Sequence, residues 1–192
     1  MAARAFRRAY ARNATWSAAV CLSDANAKET TMATEAEIED KFWKALKSDM
    51  TVMLGIEDHG EDLQPMTAQL EGDDRRGPIW FFTSKETDLA RDLGGGQAAV
   101  IAFAAKSHSL FATVHGDLVA DNDRAMIDKL WTPFVAAWFE GGKDDPKLQL
   151  LRFDPSEAKI WLNENSLFAG VRILLGRDPK KDYGDKVAEV RL

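Results

Sequence analysis

Cysteine is nearly absent from this 192-residue chain. Cys21 stands alone, so no intramolecular disulfide framework is available. With only three scattered histidines, His59, His108 and His115, the ligand set of a structural zinc site is missing as well. The glycine-rich signatures of phosphate and dinucleotide binding are also absent. No G-x-x-x-x-G-K-[ST] loop occurs, Gly94-Gly95-Gly96 is not followed by Lys, no G-x-G-x-x-G follows a strand, and no G-x-S-x-G elbow is found. No apolar run approaches the roughly 20 residues of a spanning helix, the longest being Ala98 to Ala105. Cations are outnumbered, 25 Lys and Arg against 31 Asp and Glu. An acidic surface is a poor partner for a phosphate backbone, so nucleic acid is not an expected partner. Together these gaps point to a cytoplasmic protein in a reducing compartment, with no membrane association.

The charge is unevenly spread. Residues 1–31 carry five cationic side chains against two acidic ones, so the rest of the chain holds −9 of a net −6. This Ala- and Arg-rich segment has no acid before Asp24 and no sustained core-forming period. Its composition resembles an organelle-targeting presequence, but the duller reading, an over-long start ahead of Met32, is preferred because the folded pattern begins directly after Met32. The expected division is an N-terminal extension over 1–31 and a single domain over 32–192.

Within that domain, Thr34 and Glu37 form a capping box ahead of Ile38, Phe42, Ala45 and Leu46, which predicts an amphipathic helix from Glu35 to about Lys47. Short strands are expected at Thr51–Ile56, Met66–Leu70, Ile79–Thr83, Ala98–Ala105, Leu110–Ala120, Leu148–Phe153 and Ala158–Leu162, with a last extended piece at Val187–Leu192. Gly116 marks a bulge or a close backbone approach. Asp121 or Asp123 caps a helix whose apolar face is Ile127, Leu130, Trp131, Phe134, Val135 and Trp138. Many short strands joined by turns too short for helical crossovers predict a mainly β fold, a small antiparallel barrel with flanking helices.

One segment carries more chemistry than the others. Ile79-Trp80-Phe81-Phe82 reads as a strand covered on both faces, and it stops at Thr83-Ser84-Lys85. Thr83 and Glu86 have capping-box spacing, which predicts a helix start there running to Gly94-Gly95-Gly96. A helix N-terminus flanked by hydroxyls and a Lys suits a phosphate. The plain reading is an ordinary cap beside a solvated Lys, and residue chemistry leaves both open. The histidines and the acidic turns Glu61-Asp62 and Asp144-Asp145 are read as structural or solvated.

The segments Phe-Trp-Lys-Ala-Leu (42–46), Pro-Met-Thr-Ala-Gln (65–69), Trp-Phe-Phe-Thr-Ser-Lys (80–85), Leu-Trp-Thr-Pro-Phe (130–134), Trp-Phe-Glu-Gly-Gly-Lys-Asp-Asp-Pro (138–146) and Ile-Trp-Leu (160–162) resemble, in order, the general stress proteins of the pyridoxamine 5′-phosphate oxidase-like, flavin-binding split-barrel group. The resemblance implies a six-stranded antiparallel split barrel, a homodimer, and FMN in a cleft where two subunits meet. FAD fits the same reading, since a cleft that accepts FMN can leave an adenosine tail in solvent. By the same resemblance Met66, Thr67, Ala68 and Gln69 lie along the flavin ring, and Phe82 and Thr83 touch the phosphate and ribityl chain with Ser84 and Lys85 adjacent. Phe111 and Trp161 fall where the oxidases place a flavin-contacting Gln and Trp.

The departures narrow the function. Gln64 stands where the oxidases have an Arg, Thr87-Asp88-Leu89 replaces a Ser-Arg-Lys run, and Asn163-Glu164-Asn165-Ser166-Leu167 replaces the His and Arg residues that hold pyridoxal phosphate. The resemblance therefore implies a flavin-binding general stress protein, with flavin-dependent oxidoreductase chemistry left open and vitamin B6 oxidase activity disfavoured. A cofactor-free stress or interaction protein on the same barrel is the competing reading.

Overall fold

The computed structural model describes residues 34–57, 62–72, 76–163 and 187–192. The chain divides into the units Met1–Met32 and Ala33–Leu192. The expected extension over 1–31, Cys21, His59, Glu61 and the segment 164–186 lie outside the described residues.

Helix α1 (Glu35–Asp49) starts on the expected capping box: the Thr34 hydroxyl accepts from the Glu37 N–H, and the Glu37 carboxylate accepts from the Thr34 N–H. It ends at Met50 in the left-handed region. Strand β1 (Thr51–Ile56) follows, then β2 (Gln64–Thr67), β3 (Gln69–Leu70), β4 (Ile79–Ser84), the short helix α2 (Asp88–Asp92), β5 (Gln97–Ala104) and β6 (Leu110–Ala120). Helices α3 (Arg124–Leu130) and α4 (Pro133–Ala136), a 3-10 turn at Gly142–Asp144, the long β7 (Leu148–Leu162) and β8 (Val187–Arg191) complete the described order.

All pairings are antiparallel, in the order β2-β1-β5-β6-β7-β4-β3, with β8 along the second half of β7. The two ends of this order, β2 and β3, are halves of one bent strand interrupted at Ala68. The sheet is therefore nearly closed into a barrel of six strands plus β8. The expected strand Met66–Leu70 is corrected here: its first half pairs with β1 and its second with β4, while the Ala68 N–H turns aside to the Met50 carbonyl at 2.6 Å.

Alternation along the strands sorts side chains between two apolar clusters. Inward residues such as Leu54, Ile79, Phe81, Ile101, Phe103, Val114, Leu151 and Phe153 fill the barrel, and Ile38, Phe42, Trp43 and Leu46 of α1 close it. Outward residues Trp80, Leu148 and Leu150 are covered by Ile127 and Leu130 of α3, Val135 of α4 and Phe139, with Phe82 and Trp131 at the margin. Strand β4 faces both clusters, which is why it reads as an unbroken apolar run.

Two helical expectations change. The box at Thr83 and Glu86 does not form, because Thr83 remains in the sheet opposite Gln149; Thr87 instead caps α2, its hydroxyl accepting from the Ala90 N–H. The helix from Asp123 is broken before Pro133. Proline disfavours helical backbone in the residue before it, and Thr132 is extended at φ −122°, ψ 162°, where it caps α4. The expected apolar face is thereby split: Ile127, Leu130 and Val135 are buried, but Phe134 and Trp138 are 84% and 83% exposed.

The strands expected at Leu148–Phe153 and Ala158–Leu162 are one strand. It passes through Pro155, directly opposite Gly116, where the register of β6 shifts between His115 and Gly116 as expected for a bulge. A Cβ on Gly116 would lie 2.3 Å from the Asp154 carbonyl oxygen and 2.9 Å from the Pro155 Cα. Both obstacles are backbone. Gly116→Ala is expected to destabilise the protein by about 1–3 kcal/mol in urea unfolding, the usual cost of overpacking. Gly95→Ala, whose Cβ would meet nothing within 4 Å, is the neutral control.

Candidate functional site

The residues singled out in the sequence gather in two places. The first is the end of β4 and the turn beyond it. Thr83 is only 8% exposed and its hydroxyl lies 3.3 Å from that of Thr87, which in turn donates to the Ser84 carbonyl at 2.8 Å. The Ser84 hydroxyl accepts from the Glu86 N–H, and the Lys85 N–H donates to the Lys147 carbonyl. Lys85 Nζ reaches the Pro146 carbonyl at 2.9 Å from an exposed position. An ammonium has three donors, so two remain for a ligand. Half-buried Phe82 packs edge-on against Trp131 at 5.8 Å, and Trp131 lies 6.1 Å from Phe139.

The strand Met66–Gln69 adjoins this end. Gln69 faces Trp80, and continuing that register carries Thr67 towards Phe82, where β2 does approach β4. Of the four, only Thr67 presents an exposed side chain; Met66 is half-buried against the barrel core, and Ala68 and Gln69 are buried.

The second place is the outer face of the β2-β1-β5-β6-β7-β8 sheet. Phe111 faces Trp161 directly, Ala104 faces Phe111 on one side, and Val187 faces Trp161 on the other. Directly opposed antiparallel residues share a face with Cβ atoms about 4.5–5.5 Å apart. Thr67 opposes Thr51, and the β1–β5 register brings Thr51 level with Ala104. The result is one outward row, Thr67, Thr51, Ala104, Phe111, Trp161, of small residues ending in two aromatic rings. Phe111 is 37% exposed. Lys159 Nζ stands 5.9 Å from the Trp161 ring centroid.

The two places are well separated within one chain. Thr83 faces Gln149 and Phe111 faces Trp161, twelve residues further along β7, which is roughly 40 Å of strand. Around the sheet, Thr67 and Phe111 stand three strand spacings apart, about 14 Å. Along β7, Phe82–Lys85 and the Phe111–Trp161 pair thus lie at opposite ends.

Other charged groups are engaged. Arg152, on the same face as Trp80, binds Asp154 at 3.0 Å and Asp121 at 2.6 Å, and these contacts, the Asp154 hydrogen bond foremost, raise its pKa above the ordinary guanidinium value. His115 Nδ1 lies 2.5 Å from a Glu57 carboxylate oxygen, so this histidine is half of a surface pair, four residues along β6 from Phe111. Its partner is 58 residues away in sequence, and only the β1–β5–β6 register reveals it. Among the described residues no group of side chains forms a metal site. No helix there is long and apolar enough to cross a membrane.

A family model for pyridoxamine 5′-phosphate oxidase-like proteins matches residues 37–181, about three quarters of the chain. General stress protein 26 of Bacillus subtilis is 28% identical over 85 residues, which span 43% of this chain and 60% of that protein's length. Among solved structures, the general stress FMN/FAD binding protein of Xanthomonas citri is 57% identical, with a TM-score of 0.65 over 69% of this chain and 93% of its own. A general stress family protein of Xanthomonas campestris is 58% identical, with a TM-score of 0.66 over 71% and 94%. A general stress protein 26 from Jannaschia sp. CCS1 is 34% identical, with a TM-score of 0.71 over 83% and 100%.

The carbonyls that hold Lys85 belong to a loop with its own fastening. The Asp145 carboxylate accepts from the Lys147 and Gly141 N–H groups, and these bonds, Lys147 first, hold its pKa below the ordinary 3.8. A depressed carboxylate stabilises the fold fully above the unfolded-state pKa and loses that contribution as pH falls through the folded one. Asp145→Ala should therefore melt below wild type by a constant margin from pH 7 down to about 4, with the margin closing in stronger acid. Thermal melts of both proteins across that range test it, and a margin independent of pH would refute the carboxylate's role.

Proposed function

The chain belongs to the pyridoxamine 5′-phosphate oxidase-like family, among its general stress proteins, and we propose that it is an FMN-binding homodimer without pyridoxamine 5′-phosphate oxidase activity. The observation that carries the reading is the outward row ending in Phe111 and Trp161. Exposed Phe111 and half-buried Trp161, side by side on the sheet, offer a planar, weakly polar surface suited to one side of a flavin ring. The Xanthomonas citri relative is an FMN/FAD binding protein, and it is 57% identical.

The residues present fit such a group. Ser84, Lys85 and the backbone of the Phe82–Thr83 strand end would hold the phosphate, with Thr67 and the Met66–Gln69 strand beside the ring. Phe111 and Trp161 would flank the ring from a second copy, since in one copy they lie at the far end of β7 from the strand end that carries Lys85. A bound flavin supplies hydride and electron transfer, while the protein supplies orientation and electrostatics. FAD suits the same arrangement with its adenosine outside. The protein's own part at the phosphate is Lys85's two spare donors. At the ring it is shape and the exclusion of water.

A second copy is also favoured by the outer sheet face. Met53, Leu63 and Phe111 are exposed there at 38%, 37% and 37%. Leu63 packs over Gly55, where a Cβ would be 2.6 Å from its Cδ2. An exposed apolar sheet face is a surface that proteins cover. The oxidase reading is disfavoured because Gln64, in β2, supplies no cation.

Two titrations test the site. Lys85→Ala should weaken FMN binding about tenfold or more, since a hydrogen bond to a charged group contributes about 1.5–3 kcal/mol at 1.4 kcal/mol per decade, and leave riboflavin nearly unaffected. Equal losses for both ligands would move Lys85 away from the phosphate. Mixing the Lys85→Ala and Trp161→Ala proteins tests the shared site. Exchange of subunits should restore about a quarter of the sites to wild-type affinity, because half of the dimers are mixed and each mixed dimer has one intact site. No restoration would place the whole site within one protomer.

A further inference from the structure

Phe134 and Trp138 are the most exposed large apolar side chains among the described residues, at 84% and 83%. They stand four residues apart at α4 and the turn that follows it, and project away from the helix cluster that holds Val135 and Phe139. Neither contributes to the packing of its own protomer. Each copy thus carries two uncovered apolar surfaces of different shape, a protruding aromatic pair and the flatter Met53–Leu63–Phe111 sheet face. In a two-fold dimer, residue i meets j while j meets i, so two unlike patches can cover each other twice in one interface.

We infer that Phe134 and Trp138 of one copy seat on the Met53–Leu63 part of this sheet face, beside Phe111, in a second copy of this chain. The inference rests on the homodimer proposed above. Position favours it: Phe82 packs on Trp131, and α4 begins two residues after Trp131. Whatever brings Lys85 of one copy to Trp161 of another therefore brings α4 with it. Area favours it too. A buried aromatic side chain covers roughly 150–250 Å². Four of them, with an equal area of sheet beneath, reach about 1,200–2,000 Å², the size of a stable specific interface. Aromatic anchors set in such a patch carry most of the energy of association.

The test is sedimentation of the full chain with and without flavin, using Phe134→Ser/Trp138→Ser on one surface and Met53→Glu on the other. Both variants alter side chains that are exposed in the protomer, so native circular dichroism and a cooperative melt are expected. Each should weaken dimerisation about a hundredfold or more. In a cycle of Trp138→Ser and Met53→Ser, the combined loss should fall well short of the sum, as it does for residues in contact. A Phe134→Ser/Trp138→Ser protein that dimerises like wild type, a wild-type monomer, or strictly additive losses would overturn the inference. FMN absorbance in the same cells separates the two proposals. A dimer that depends on the aromatics but binds no flavin removes the cofactor reading alone, and a flavin-bound dimer indifferent to them removes this inference alone.

Discussion

Strand β7 can serve three neighbours because β6 and β7 come into backbone contact at Gly116. Its first half pairs with β4, its second half with β8, and β6 runs along most of its length. A fifteen-residue strand with a proline at its middle would ordinarily lose its pairing there, since Pro has no N–H to give. The bulge at His115–Gly116 absorbs the fault, and the absence of a side chain on Gly116 lets the Asp154 carbonyl and Pro155 approach. The bend that results separates the face of β7 covered by α3 and α4 from the face left uncovered beside β8. The positions of Phe82–Lys85 and of Phe111 and Trp161 both follow from it.

The outer surface of the barrel is consequently of two kinds. Over β4 and the first half of β7 it is buried under Ile127, Leu130, Val135 and Phe139. Over β1, β5, β6 and the second half of β7 no described element covers it; small residues, Met53, Leu63 and two aromatic rings lie at one end, and the pairs Glu57–His115 and Lys159–Glu189 share the face. Turns and helix faces carry further acidic residues in pairs such as Asp128 with Lys143, and Asp144 with Arg124. The Lys143 bond holds the Asp128 carboxyl below its usual range.

Local signals were legible in the sequence where no tertiary contact competed with them. The Thr34–Glu37 box, the limits of β1 and β6, the two-sided burial of β4 and the bulge at Gly116 all stand as read. The failures have a common physical form. Thr83 and Glu86 have capping-box spacing, but the β4–β7 ladder keeps Thr83 extended and Thr87 takes over the cap. Ile127 to Trp138 has helical period, but Pro133 breaks the helix, so the last aromatics turn outward. Ala68 lies inside the expected strand Met66–Leu70, yet its N–H is drawn to Met50, and the strand divides between two neighbours. At the candidate site, the resemblance supplied a list of residues, while their separation along β7 could not be read from it. Register between strands depends on pairings that one strand's sequence does not contain.

These corrections alter the source of any phosphate affinity. The sequence pattern offered a helix dipole at Thr83, but α2 is five residues long, begins at Asp88, and carries that carboxylate in its first turn. A dipole's influence is confined to a terminal turn, and a neighbouring anion opposes a phosphate there. The electrostatic contribution then rests on Lys85 and on hydroxyls already committed to their own turn, so the proposed site has weaker hold on the phosphate than one lined with arginines. In a site shared between copies the deficit is offset by linkage. A ligand that binds only the paired form stabilises the pair, and reciprocally anything that tightens the pair tightens the ligand. Affinity for the flavin would then be set as much by the apolar contact between two barrels as by any group that touches the cofactor.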